Sequence, residues 1–206
     1  ARFITSLLAL QNNGEYEIVG DKEMETRPIK GLLDALMRLY SVKFEFYKKK
    51  GFIPFKMHTA GTNETSAVVD SSASSQILSA LLMTMQGSKN EILLKCYNSR
   101  APYINITESM KSSFGIKSPL KKPNNAYHIS REKYLSKNYL IEPDLSAASY
   151  FFALTAINGG KIIIKNMPSD PIQGDAKFIN VLKMHGLKIE KQDMFWIVSH
   201  LNNMKL

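Results

Sequence analysis

The stretch Arg2-Phe3-Ile4-Thr5-Ser6-Leu7-Leu8-Ala9-Leu10 has an apolar helical pattern that returns twice along the chain. The second segment is Gln76-Ile77-Leu78-Ser79-Ala80-Leu81-Leu82-Met83, and the third is Ser149-Tyr150-Phe151-Phe152-Ala153-Leu154-Thr155-Ala156. The three segments begin at positions 2, 76 and 149, so their spacing is nearly constant. A near-constant period indicates that the chain is built from repeated supersecondary units.

Each helical segment is followed by a Gly- or Asn-rich break and then by a strand pattern. The strand patterns cover residues 16–19, 91–94 and 161–165. A second amphipathic helix and further short strand patterns follow in each unit, and a strand before the first helix completes a βαβαββ unit. Residues 66–70 and 139–142 supply that strand for the second and third units, and the first unit lacks its own. The sequence therefore predicts an α/β (α+β) fold of repeated βαβαββ units.

The composition is that of an ordinary globular protein that attracts anions. Of the 206 residues, 44% are hydrophobic and 22% are charged, which excludes fibrous and wholly disordered classes. The net charge of +9 favours phosphorylated metabolites, nucleic acid or acidic membrane surfaces as partners. Cys96 is the single cysteine, and no apolar run approaches the ~20 residues that cross a bilayer, so we expect a cytoplasmic protein. The chain opens at Ala1 without an initiator Met or a signal peptide, and we expect it to be part of a longer protein.

Two kinds of helix start are candidates for binding an anion. The turn Asp70-Ser71-Ser72-Ala73-Ser74-Ser75-Gln76 joins a predicted strand to a predicted helix, where hydroxyls and unpaired backbone N–H groups suit a phosphate or a polyol. The structural alternative is a serine-rich helix cap, which the equivalent turn Asp144-Leu145-Ser146-Ala147-Ala148-Ser149 favours. Arg27 precedes Pro28 at another helix start, where a cation is disfavoured unless an anion is shared. Arg2 stands in the first unit at the place that corresponds to the end of the serine-rich turn.

Five motifs follow one another at compatible spacing along essentially the whole chain. They are Arg27-Pro28-Ile29 with Leu33-Asp34-Ala35-Leu36, Ser74-Ser75-Gln76 with Leu78-Ser79-Ala80-Leu81-Leu82-Met83, Pro102-Tyr103-Ile104, Asp144 with Ser146, Ala148, Ser149 and Tyr150, and Gln173-Gly174-Asp175. This order resembles the EPSP synthase (3-phosphoshikimate 1-carboxyvinyltransferase) family. The resemblance implies the enolpyruvyl transferase fold of the inside-out α/β barrel type, with two globes of three βαβαββ units each. It places residues 1–142 in the amino-terminal globe as two units, and residues 143–206 in the other globe as one unit.

The resemblance also implies an activity and a set of binding residues. Members of the family transfer the enolpyruvyl group of phosphoenolpyruvate to the 5-hydroxyl of shikimate 3-phosphate, with release of phosphate, in aromatic amino acid biosynthesis. The residues that match the shikimate 3-phosphate site are Ser74, Ser75, Gln76, Tyr103 and Ser99. Arg2 and Arg27 match the arginines that meet phosphoenolpyruvate, whose phosphate and carboxylate suit bidentate guanidinium contacts. The segment from Ser99 to Pro102 carries one residue more than the family pattern.

The same resemblance implies that the chain is inactive by itself. The acid/base Asp, Glu and Lys of the family fall outside the matched span, so we expect no catalytic residue here. The whole enzyme would be a monomer that needs neither metal nor organic cofactor. The histidines are scattered and predict no metal site: His58, His128, His185 and His200. We therefore expect small-molecule substrates as partners, and neither nucleic acid nor a membrane.

Three alternative functions stay open. UDP-N-acetylglucosamine enolpyruvyl transferase shares the architecture and the phosphoenolpyruvate chemistry, although the Ser-Ser-Gln and Arg-Pro-Ile matches favour the shikimate enzyme. RNA 3′-terminal phosphate cyclase uses related units and suits a chain with a net charge of +9. The third alternative is a non-catalytic fragment that binds phosphate-bearing ligands.

Overall fold

The structure is a computed structural model that describes residues 1–61, 64–97, 101–117, 120–122 and 125–200. The chain divides into two compact units, Ala1–Ser136 and Lys137–Leu206. The first unit contains two of the predicted repeats and the second contains one. The domain boundary predicted after residue 142 stays a prediction.

The first repeat begins with a helix and ends with a pair of strands. Its elements are α1 (Arg2–Leu8), β1 (Glu15–Ile18), α2 (Lys22–Glu25), α3 (Lys30–Tyr40), β2 (Lys43–Phe46) and β3 (Phe55–His58). The strands form an antiparallel sheet in the order β1-β3-β2. Helix α3 buries the apolar side chains that recur at three- and four-residue steps, because this spacing puts them on one helix face. They are Leu32, Leu33, Leu36 and Leu39.

The second repeat is a complete βαβαββ unit. Its elements are β4 (Ser66–Asp70), α4 (Ser75–Thr84), β5 (Ile92–Tyr97), α5 (Ala101–Ser113), β6 (Leu120–Lys122) and β7 (Ala126–Ile129). The sheet order is β4-β5-β7-β6, in which β4 and β5 are parallel and the other pairs are antiparallel. Helix α4 is buried over residues 77–82 because α1, α3 and α5 pack around it. A helix that is apolar on every side needs such enclosure.

The third repeat lacks the leading strand that the sequence predicts. It consists of α6 (Leu145–Asn158), β8 (Lys161–Lys165), α7 (Phe178–Met184), β9 (Leu187–Gln192) and β10 (Phe195–His200), with the sheet order β8-β10-β9. The prediction of a strand at residues 139–142 is wrong, since these residues form none. The side chain of Ile141 is 76% exposed, so an alternating pattern buries nothing there. The carboxylate of Glu142 instead accepts hydrogen bonds from the backbone N–H of Ile172 and from Nε2 of Gln173.

Each compact unit has its own apolar core. The core of the first unit joins α1, α3 and α4 to both sheets. The core of the second unit includes Leu145, Phe152, Met167, Ile179 and Trp196. Helix α6 is apolar on every side, yet the side chains on one part of its surface are more than half exposed: Tyr150, Phe151, Leu154 and Ile157. None of the described helices combines the length and the apolar character needed to cross a membrane.

Lys111, in the last turn of α5, is a buried cation. It is 2% exposed, and its Nζ has no hydrogen-bond partner among the described residues. The segment that follows β7 packs against this end of α5, where the backbone N–H of Leu135 donates to the carbonyl of Phe114. Burial lowers the pKa of Lys111 to about 8, against the opposite effect of the negative charges on Glu108 and Glu132.

We expect Lys111 to contribute a rise of about 1 to 2 kcal/mol to the free energy of unfolding between pH ~8 and pH ~9.5. The folded chain releases the Lys111 proton at about pH 8, whereas the unfolded chain holds it up to the ordinary pKa of 10.5. The unfolded state therefore binds more protons in this window, and stability increases with pH. The thiol of Cys96 opposes this trend from about pH 9, because burial raises its pKa in the folded chain. Tyr40 and Tyr134 oppose it above about pH 10, because burial raises the pKa of each to about 12. Urea titrations at both pH values measure the change, and an equally steep rise in Lys111→Met would contradict the assignment.

Candidate functional site

A cleft in the first compact unit brings three helix starts together. Its lining consists of Ala1, Arg2, Met24, Arg27, Ile29, Ile53 and Gln76. Arg2 opens α1, Arg27 lies in the turn that leads into α3, and Gln76 is in the first turn of α4. The cleft holds about 340 Å³ of empty space, part of which is open solvent. The mutual packing of α1, α3 and α4 thus gathers three side chains that the sequence nominates as binding residues.

The close approach of α3 to the end of β4 depends on a glycine. A Cβ atom at Gly31 would lie 2.3 Å from the backbone oxygen of Asp70, far inside van der Waals contact. Any side chain at this position would push the first turn of α3 away from the turn that follows β4. Gly31 therefore allows the start of α3, with Arg27 just before it, to lie beside the serine-rich turn.

The guanidinium of Arg2 connects the three helix starts. Its Nη1 donates to Oε1 of Gln76 at 2.7 Å, and its Nη2 donates to the carbonyl of Pro28 at 2.9 Å. Its Nε is buried and has no hydrogen-bond partner in the described part of the chain. The side chain at the start of α1 is thus fixed to both the turn before α3 and the first turn of α4.

The cleft carries two positive charges without a matching carboxylate. Burial, and in second place the positive charge of Arg27, lowers the pKa of Arg2. Among residues 1–61 and the other described ranges, neither guanidinium forms a salt bridge. The neighbouring acids are engaged elsewhere, because Glu25 pairs with Lys48 at 2.7 Å and Asp21 caps α2. Two neighbouring guanidinium groups without a carboxylate partner among the described residues suit an anion with several acceptor oxygens.

The serine-rich turn after β4 combines a helix cap with one hydroxyl that has no hydrogen-bond partner among the described residues. Ser74 is the N-cap of α4, and its Oγ accepts a hydrogen bond from the backbone N–H of Gln76 at 3.2 Å. The hydroxyl of Ser71 donates a hydrogen bond to the carbonyl of Tyr97 at 3.2 Å. This hydroxyl is therefore bonded to the end of β5. Ser75 is largely buried, and the described residues provide no hydrogen-bond partner for its hydroxyl. The structural alternative, in which the turn is only a helix cap, therefore accounts for Ser74 but not for Ser75.

The remaining predicted binding residues are not gathered at this cleft. Tyr103 lies near the start of α5 with 55% of its surface exposed, and it is not among the residues that line the cleft. Ser99 lies outside the described residues. Cys96 is buried, and burial raises the pKa of its thiol, as expected for a structural cysteine. Across the ranges that the structure describes, no three His, Cys, Asp or Glu side chains come together as metal ligands.

The second compact unit contains a polar network that sequence reasoning missed. Asp144 caps α6 by accepting from the backbone N–H groups of Ser146 and Ala147. Gln173 supports the same helix start, since its Oε1 accepts from the backbone N–H of Leu145 at 2.9 Å and its Nε2 donates to the carbonyl of Pro143 at 2.7 Å. The motif Gln173-Gly174-Asp175 marks this glutamine in the sequence, but nothing local connects it to a helix start far upstream.

One protein family matches the chain over the repeats and over the motifs around the cleft. The family model for EPSP synthase (3-phosphoshikimate 1-carboxyvinyltransferase) matches residues 1–206. The chain belongs to the EPSP synthase family. The resemblance seen in the sequence is thereby confirmed.

Curated relatives and solved structures agree with this assignment. The 3-phosphoshikimate 1-carboxyvinyltransferase of Buchnera aphidicola subsp. Cinara cedri is 37% identical over 92% of this chain and 44% of its own length. That of Opitutus terrae is 34% identical over 88% of this chain and 43% of its own length. The EPSP synthase structure from Acinetobacter baumannii has a TM-score of 0.69 at 19% identity, over 97% of this chain and 47% of that one. The likeness confirms the α/β fold class, and the chain spans less than half the length of these relatives.

Proposed function

We propose that the protein containing this chain transfers the enolpyruvyl group of phosphoenolpyruvate to the 5-hydroxyl of shikimate 3-phosphate and releases phosphate. The observation that carries the proposal is the cleft in which two arginines without a carboxylate partner, among the described residues, meet the first turn of α4. A phosphate and a carboxylate on one small molecule match two guanidinium groups. The names of the curated relatives agree with this reaction.

Each substrate has its own set of residues in this proposal. Arg2 and Arg27 attract phosphoenolpyruvate, and they already share the cleft. Shikimate 3-phosphate is held by the turn that follows β4, through Ser74, Ser75 and Gln76. The hydroxyl of Ser75, which has no hydrogen-bond partner among the described residues, and the exposed side chain of Gln76 support this part. Tyr103 and Ser99 complete that pocket on the strength of the motif match alone.

The rest of the protein would supply the catalytic acid/base residues and further repeat units. The exposed apolar surface of α6 supports this view, because an all-apolar helix is ordinarily enclosed as α4 is. We place the whole protein in the cytoplasm as a monomer without bound nucleic acid. The excess of Lys and Arg then serves small anions and surface hydration.

The 206-residue chain itself tests the proposal. We expect calorimetric titration to give saturable binding of shikimate 3-phosphate and of phosphoenolpyruvate, with no phosphate released when both are present. UDP-N-acetylglucosamine and mixed RNA at physiological salt are the matched controls, and neither should bind. Preference for the nucleotide sugar, or salt-resistant RNA binding, would contradict the proposal in favour of one of the alternatives. Turnover by the purified chain, with host enzyme excluded, would show that it carries its own acid/base residues.

The two neighbouring serines should respond differently to removal of their hydroxyls. Ser75→Ala should weaken shikimate 3-phosphate binding by roughly 10- to 150-fold, since a hydrogen bond to a charged group contributes ~1.5 to 3 kcal/mol. It should leave the melting temperature almost unchanged, because no described group bonds this hydroxyl. Ser74→Ala removes the cap of α4 and should lower the free energy of unfolding by ~1 kcal/mol. Equal effects of both variants on stability, without loss of affinity, would mean that the turn is only a helix cap.

A further inference from the structure

We propose that Arg2 is a positioning residue that fixes the side-chain amide of Gln76 as a hydrogen-bond donor toward the cleft. The inference rests on the proposed function, and it assigns Arg2 an action on the shikimate 3-phosphate side of the site. The contact that carries it is the 2.7 Å hydrogen bond from Nη1 of Arg2 to Oε1 of Gln76. Together with the bond from Nη2 to the carbonyl of Pro28, this holds the guanidinium at two points.

The orientation of the Gln76 amide follows from the chemistry of arginine. A guanidinium only donates hydrogen bonds, so the atom of Gln76 that faces it must be the oxygen. An isolated amide can exchange its oxygen and its NH₂ group by a half-turn, and it then offers either a donor or an acceptor to a ligand. With Oε1 held by Arg2, the half-turn is blocked and the Nε2 protons remain for the ligand. Gln76 then selects acceptor oxygens, such as those of a phosphate or a hydroxyl.

The contacts of Arg2 suit a positioning role, because they hold its guanidinium at two points. Nη1 and Nη2 each donate one N–H to a protein acceptor, which fixes the plane of the guanidinium, and Nε is buried. Arg27, in contrast, is exposed and makes no salt bridge among the described residues. The two arginines therefore have different roles in this proposal. Arg27 contacts the anion, and Arg2 adds positive charge while it orients Gln76.

A double-mutant cycle on the 206-residue chain tests the inference with shikimate 3-phosphate as the probe. Arg2→Lys keeps the charge but replaces two fixed nitrogens by one flexible group, so the amide can turn. We expect this variant to weaken binding by about tenfold when Gln76 is present and by less than about twofold in the Gln76→Ala background. Equal losses in both backgrounds would mean that Arg2 contacts the ligand, and no loss in either would mean that it does not orient the amide. Either result overturns the inference.

A second measurement does not depend on ligand binding. In ¹H–¹⁵N spectra, the Nε2 protons of Gln76 are assigned as the pair of signals that disappears in Gln76→Ala. We expect Arg2→Lys to move these signals toward the positions of a free, mobile amide while the backbone spectrum and the melting temperature stay close to those of the unchanged chain. Unchanged Gln76 signals would overturn the inference. If the unchanged chain binds no shikimate 3-phosphate, the proposed function fails while this spectrum still tests the positioning role.

Discussion

Phe152→Ala is expected to lower the free energy of unfolding of the second compact unit by about 3 to 5 kcal/mol. Phe152 is 1% exposed and lies in the small core that contains Met167 and Trp196. Without the ring, the core loses the hydrophobic free energy of the buried atoms, and a cavity remains in their place. A unit this small has few other buried contacts to compensate for the loss. Trp196 is the single tryptophan of the chain and is fully buried, so its fluorescence in a urea titration reports this unit.

The neighbouring residue provides the control for that experiment. Phe151 has the same side chain on the same helix, but it is 57% exposed. Phe151→Ala should therefore change the free energy of unfolding by less than ~1 kcal/mol. If both variants destabilise equally, the exposed surface of α6 is covered in solution. A dependence of the transition on protein concentration would then identify self-association as the cause.

The fold was largely predictable because its determinants are local and repeated. The helical periodicity of residues 32–39, the cap at Ser74 and the glycine that ends α7 each act within a few residues, so the sequence alone indicates them. The left-handed φ of +84° at Gly186 is the expected helix-ending conformation. The prediction of a strand at residues 139–142 was wrong because a strand forms only when it pairs with another strand, which is often far away in sequence. Its local pattern carries no information on whether that partner is present.

The sequence predicted three residues that line the cleft, Arg2, Arg27 and Gln76, but not the contacts between them. Arg2 and Gln76 occupy equivalent places in successive repeats, so the period alone predicts that both stand at helix starts. It does not predict that one bonds the other, or that Pro28 offers its carbonyl to the same guanidinium. Ile53 also lines the cleft, but nothing in the sequence marks this apolar residue as part of a binding site. Apolar lining residues look like core residues until the tertiary structure places them beside charged groups.

Arg27→Met is expected to weaken phosphoenolpyruvate binding to the 206-residue chain by about 100-fold, or ~2.7 kcal/mol. Arg27 is exposed and lacks a salt bridge among the described residues, so its guanidinium is free for the phosphate or the carboxylate. For the same reason its loss should change the free energy of unfolding by less than ~0.5 kcal/mol. Arg27→Lys keeps the charge without the planar fork and should weaken binding by about tenfold. Calorimetric titration with each substrate in turn measures the selectivity.

The control removes an identical charge from the other end of the same helix. Arg38 is exposed in the last turn of α3, about 15 Å along the helix axis from the turn that carries Arg27. Arg38→Met lowers the net charge by the same amount, but charges separated by more than a Debye length of ~8 Å are largely screened at physiological salt. We therefore expect less than about a twofold change in phosphoenolpyruvate affinity. Equal losses from both variants would show that the net positive charge of the chain, and not the cleft, attracts the anion. If Arg27→Met lowers the affinity for shikimate 3-phosphate and for phosphoenolpyruvate equally, the assignment of Arg27 to phosphoenolpyruvate is wrong.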